Sequence, residues 1–138
     1  MTLLIVNSNV RERHGLVKVL TGEGYQVLQA VDAEDGIQQV LLHQPRLVIT
    51  AKEMPITDGF TFLTQLKSHP ETKRIPVILV SSRATDEEEA IAFRRGFFDY
   101  ISMPVKDITL SARVKRAFAI GKGYDFHLQQ DLSPESLI

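Results

Sequence analysis

The chain has 138 residues, a formal net charge of −1 from 16 basic and 17 acidic side chains, and no cysteine. That length suits one domain with its own core, the interspersed charge removes any global pull toward nucleic acid, membrane or acidic ligands, and the missing thiols exclude disulfides, thiolate catalysis and Cys-rich zinc centres. The opening MTLLIVNSNV is apolar only briefly and lacks a positive n-region, so it is expected to be a buried strand of a cytoplasmic protein, not a signal peptide or membrane span.

Leu3 to Val6 reads as the first strand, and Leu16, Val19 and Leu20 then recur at helical spacing before a stop at Gly24. Tyr25 to Gln29 reads as the second strand, followed by Ile37, Val40 and Leu41 on a helix that ends before Pro45. Leu47 to Thr50 and Val77 to Val80 read as the third and fourth strands. Thr85 with Glu88 has the spacing of a capping box opening a fourth helix, whose Phe93 precedes a C-terminal stop at Gly96. Phe98 to Ser102 is the last strand, and Asp107 to Ile120 the last helix, with Leu110, Val114, Ala117 and Phe118 facing the sheet. The domain is set at residues 1–121, and residues 122–138 form a C-terminal tail or short extra helix, for which Ser133 and Pro134 resemble an N-cap and first helical position. Gly121-Lys122-Gly123 lacks a phosphate-loop pattern and reads as cap and linker.

Apolar runs this continuous suit strands buried on both faces. Their alternation with helices demands right-handed crossovers, because parallel neighbours cannot be joined by tight hairpins. The expected fold class is α/β, a doubly wound (βα)5 domain, whose ligands lie outside the carboxyl ends of the strands where strand order reverses. Asn7, Ser8, Ala51, Ser81 and Met103 fall at those ends.

The segments LLIVNSN, LVITAKEMPITDGF, IPVILVSS and FFDYISMP, with Gly96 and Pro45-Arg46 between them, resemble the receiver domain of two-component response regulators. The resemblance runs from Leu3 to Ile120 and implies a flavodoxin-like five-stranded parallel sheet of order 2-1-3-4-5. It also implies a chemistry in which an aspartate accepts a phosphoryl group, an acidic pair holds a divalent cation and a lysine assists. Every charged part of that chemistry is replaced here. Ala51 stands at the acceptor, Asn7 and Ser8 at the acidic pair and Met103 at the lysine, while Ser81 matches the Ser/Thr that reports phosphorylation. The resemblance therefore implies a degenerate site with no catalytic residue, metal or cofactor, and no enzymatic activity. Glu53, where the family uses a backbone carbonyl as metal ligand, reads as a solvated loop glutamate near Lys52 or as part of a weak cation site with Asn7. Met103 is expected to pack over Ala51 and close the pocket.

Tyr100 occupies the position of the family's switching aromatic, and reads equally well as a half-buried strand tyrosine with a satisfied hydroxyl. Phe93, Arg94, Arg95, Pro104, Val105 and Lys106 surround it on the expected partner face, formed by the fourth helix, fifth strand and fifth helix. Met103-Pro104 resembles the family's cis X-Pro bond. His14, His43, His69 and His127 lack the spacing of a ligand pair, and His43 and His69 are expected at helix C-termini. The resulting expectation is a pseudo-receiver that signals by phosphorylation-independent contact with a protein partner or as a homodimer, without membrane. Its rivals are a receiver phosphorylated at Ser81 or Glu53, and a nucleic-acid-binding accessory using Lys115 and Arg116, for which no reading head is recognisable.

Overall fold

The computed structural model describes residues 1–121, and the Ser133-Pro134 helix start and His127 lie outside the described residues. Strands β1 (Thr2–Val6), β2 (Gln26–Ala30), β3 (Leu47–Ala51), β4 (Val77–Ser81) and β5 (Asp99–Ser102) alternate with helices α1 (Val10–Gly22), α2 (Ala33–His43), α3 (Gly59–Lys67), α4 (Asp86–Arg95) and α5 (Asp107–Gly121). All pairings are parallel, in the order β2-β1-β3-β4-β5. The chain order reverses between β1 and β3, which opens a crevice at their carboxyl ends.

Side-chain alternation divides the core into two layers. Leu3, Ile5, Leu47, Ile49, Ala51, Ile78 and Val80 pack with Leu16 and Leu20 of α1 and with Leu110, Val114, Ala117 and Phe118 of α5. The alternate residues Leu4, Val6, Val48, Val77, Leu79 and Tyr100 pack with Val40 of α2, Phe62, Leu63 and Leu66 of α3, and Ala92 of α4. This division decides which helix each strand-end residue meets.

The central strands β3 and β4 are buried along their whole length, but β2 is not buried on both faces: as an edge strand it leaves Gln26 and Gln29 exposed. Helix ends follow local chemistry. Asn9, Asp32, Asp58 and Thr85 each accept a backbone N–H three residues on, and Gly96 closes α4 at φ 105°, a left-handed conformation that costs glycine little. At Gly59 the reason is proximity, because a Cβ there would lie 2.5 Å from the Ala51 carbonyl oxygen. Its N–H donates to the Lys52 carbonyl at 2.7 Å, pinning the start of α3 to the end of β3. His43 lies in the last turn of α2, whereas His69 falls just beyond the C-cap of α3.

Candidate functional site

The crevice is a polar cleft of about 220 Å³ lined by Asn7, Ser8, Asn9, Glu12, Ala51, Lys52, Glu53, Val80, Ser81 and Ser82. Most of the expected degenerate site is thus brought together, including Asn7, Ser8, Ala51, Glu53 and Ser81. Met103 is the exception. It is half-buried and packs against the layer that contains Ala51, but it does not line the cleft, which stays open instead of closing beneath it.

Asn7 is tied into the local fold at both ends of its amide. Its Oδ1 accepts from the Asn9 N–H at 2.9 Å and its Nδ2 donates to Glu12 Oε1 at 2.8 Å, an Asx-type turn leading from β1 into α1. The Asn7 carbonyl oxygen accepts from Arg13 Nη1 at 2.7 Å, and Arg13 Nε donates to Gln29 Oε1. An amide both donates and accepts, so it satisfies neighbours that a carboxylate could only partly serve. Ser8 and Glu53 are exposed, and Ala51 is buried in the α1/α5 layer.

On the other layer lies a charged network that the sequence reading missed. Lys52 Nζ is 2.6 Å from Glu88 Oε2, and the Tyr100 hydroxyl donates to Glu88 Oε1 at 2.6 Å. Ser81 lies on the same side of the sheet, and its hydroxyl accepts from the Arg83 N–H at 3.3 Å. Burial pushes the Glu88 carboxyl up, but hydrogen bonds from Lys52, Ser81 and Tyr100 and the Lys52 charge together hold it below the usual carboxylate range. The Glu88 hydrogen bond raises Lys52 above an ordinary lysine against the opposing effect of desolvation. Burial raises the Tyr100 phenol, and Glu88 raises it further.

The expected capping box is therefore half made. Thr85 Oγ1 accepts the Glu88 N–H at 3.0 Å, but the Glu88 carboxylate turns inward to Lys52 and Tyr100. A usable signal was present, because Glu88 stands one turn before the buried Ala92, on the inward stripe of α4. Strand parity likewise puts Lys52, Ser81 and Tyr100 on the α4 side of the sheet.

Tyr100 is buried, not half-buried, in the layer beneath α4. Above it Phe93, Arg94, Arg95, Pro104 and Lys106 are exposed, with Phe93 at 45 % and neighbouring Ile108 at 78 %. Val105 is half-buried and packs on the α1/α5 layer, so only part of its side chain is at the surface. Arg95 lies over the Phe60 ring at 5.7 Å, so part of its surface is already used. Asp99, also missed, is buried and accepts from Arg113 Nη1 at 2.6 Å, tying β5 to α5. Met103-Pro104 is cis, as expected, and the Met103 N–H donates to the Ser81 carbonyl at 2.8 Å.

The sequence matches the response regulator receiver domain family over residues 3–115. It is 32% identical over 117 residues to the protein PilH of Pseudomonas aeruginosa, covering 85% of this chain and 97% of that one. A solved response regulator from Desulfuromonas acetoxidans superposes with a TM-score of 0.79 at 35% identity, over 86% of this chain and 96% of that one. The receiver domain of NtrX from Brucella abortus does so with a TM-score of 0.78 at 29% identity, over 85% and 98% respectively.

Proposed function

This chain belongs to the response regulator receiver family of two-component signalling, and within it we propose that it acts as a pseudo-receiver, signalling through protein contact without phosphorylation. The observation that carries this reading is the chemistry of the cleft. Ala51 offers no nucleophile, the Asn7 amide is spent on Asn9 and Glu12, and Met103 supplies no cation where the family has its lysine. Divalent-metal phosphoryl chemistry needs one or two carboxylates beside the reacting oxygen; of the two that line the cleft, Glu12 is bonded to the Asn7 amide and Glu53 is an exposed loop residue, and neither stands at the acceptor or acidic-pair positions. Among the described residues Lys52 is the one cation lining the cleft, and its ammonium is held by Glu88. The domain is accordingly read as non-enzymatic.

Output passes through the face formed by α4, β5 and α5, where Phe93, Ile108, Arg94, Arg95 and Lys106 join apolar and basic surface. A signalling protein or a second copy of the chain fits that character. No helix among the described residues is long and apolar enough to cross a membrane, and we place the domain in the cytoplasm with the other two-component parts. Phosphorylation at Ser81 is disfavoured by its 2 % exposure.

Incubation with acetyl phosphate and Mg²⁺ followed by intact mass measurement tests the reading. The expected result is the unmodified mass, and a stoichiometric phosphate adduct on any residue overturns it.

A further inference from the structure

We propose that the Lys52–Glu88 ion pair is an internal latch that keeps Tyr100 buried and so fixes the α4–β5–α5 face in one state without any bound phosphate or metal. This rests on the pseudo-receiver reading and adds to it how the face is set. The latch starts at the cleft wall, where Lys52 and Ser81 are both lining residues. It crosses to α4 through Lys52 Nζ and Glu88 Oε2 at 2.6 Å, and reaches β5 through Glu88 Oε1 and the Tyr100 hydroxyl, also at 2.6 Å.

The geometry follows from sheet parity. Lys52 continues β3 by donating its backbone N–H to the Val80 carbonyl at 3.0 Å, and it alternates with Ala51, so its side chain leaves on the α4 side. Tyr100 packs in that same layer. Glu88 is the one acidic residue of the first turn of α4 that is buried, since Asp86, Glu87 and Glu89 are exposed.

A carboxylate in that position is tolerated because a cation compensates it. With the ammonium gone, Glu88 regains full solvation by swinging out beside Glu87 and Glu89. Tyr100 then loses its charged acceptor, the shortest of its hydrogen bonds, and the hold on the buried ring weakens. The ammonium at the cleft therefore decides whether an aromatic side chain lies under the partner face or projects from it. The half-made capping box supports this, because Glu88 gives up the local backbone N–H that its spacing from Thr85 offers and takes the long-range partners instead.

The test uses the full chain labelled with 3-fluorotyrosine and read by ¹⁹F NMR, with Tyr25, Tyr100 and Tyr124 assigned by single Tyr→Phe changes. Tyr25 stacks on Phe118 at 5.2 Å in the opposite layer and serves as the fold reference. Lys52→Met is expected to shift the Tyr100 signal and raise its H₂O/D₂O isotope effect, with Tyr25 unmoved and Lys52→Arg restoring the original signal. Glu88→Ala is expected to act as Lys52→Met does. A Tyr100 signal unchanged in both Lys52→Met and Glu88→Ala overturns the latch, as does loss of the Tyr25 signal in both, which would make the pair an element of folding instead. An adduct with acetyl phosphate removes the pseudo-receiver reading whatever Tyr100 does, whereas an unmoved Tyr100 in unphosphorylated variants removes the latch alone.

Discussion

The two sides of this sheet end differently at the same crevice. On the α1/α5 side, the ends of β1 and β3 carry the uncharged Asn7 and Ala51, with Met103 of the β5 end packed in the same layer and Glu12 of α1 bonded to the Asn7 amide. On the α4 side, one residue along in register, a partly exposed Lys52 meets the buried Glu88 and Tyr100 in a charged cluster, with Ser81 beside it. Charge has not vanished from this domain so much as changed face. On the first side an amide holds a turn, and on the second an ion pair positions an aromatic ring beneath an exposed surface. The difference separates a region kept for shape from one in which the proposed latch would act.

The largest expected effect comes from breaking the charged side. Glu88→Ala strands the Lys52 ammonium and the Tyr100 hydroxyl and should cost about 2–3 kcal/mol in urea unfolding, toward the lower figure because 33 % of the Lys52 side chain is exposed. The pH profile sharpens the assignment. Glu88 is held below its ordinary 4.5, so its contribution is present above that value and is lost as pH falls through the lower folded value. Lys52 is raised above 10.5, so its contribution is full below that value and fades as pH climbs through the higher folded value. Wild type should therefore lose stability toward both extremes, and Glu88→Ala should flatten both slopes. Unchanged slopes would mean that the pair contributes nothing to folding.

The neutral side should respond less. Asn7→Ala removes the acceptor for the Asn9 N–H and the donor to Glu12, at a cost of about 1 kcal/mol. Its pH slopes should match those of wild type, since no group of the charged cluster is touched. A loss equal to that of Glu88→Ala would erase the distinction between the two sides.

What the sequence revealed follows the same division. The fold was legible because short continuous apolar runs and amphipathic stretches of period 3.6 are local signals, and the strands fall within a residue of expectation. Edge exposure of β2 was hidden, since a run such as Tyr25-Gln26-Val27-Leu28-Gln29 does not announce its place in the sheet order. The neutral cleft was readable by matching strand ends to a family pattern. The charged cluster was not, because Lys52 and Glu88 meet only after a strand crossover, and Glu88 already had a satisfying local explanation as the partner of Thr85. Ile56 escaped for a related reason: its φ of 69° is a left-handed conformation that β-branched residues avoid, and propensity alone argues against it.

The smallest expected effect is the one that most directly tests the separation of the two sides. Ala51→Asp restores a carboxylate at the family's acceptor position, yet acetyl phosphate with Mg²⁺ should leave the mass of the variant unchanged. The new carboxylate would join Glu12 and Glu53 along the cleft, adding like charge without the lysine that receivers use. Asn7 Oδ1 already accepts from the Asn9 N–H, and as a neutral amide oxygen it brings a divalent cation no compensating charge. Lys52 is near in sequence but leaves the sheet on the opposite side and is bound to Glu88. Adding Asn7→Asp, Ser8→Asp and Met103→Lys to Ala51→Asp supplies the cation site and the lysine together, and that variant should form the adduct. Robust phosphorylation of Ala51→Asp alone would mean that Lys52 serves both sides of the sheet, and the division drawn between them would fail.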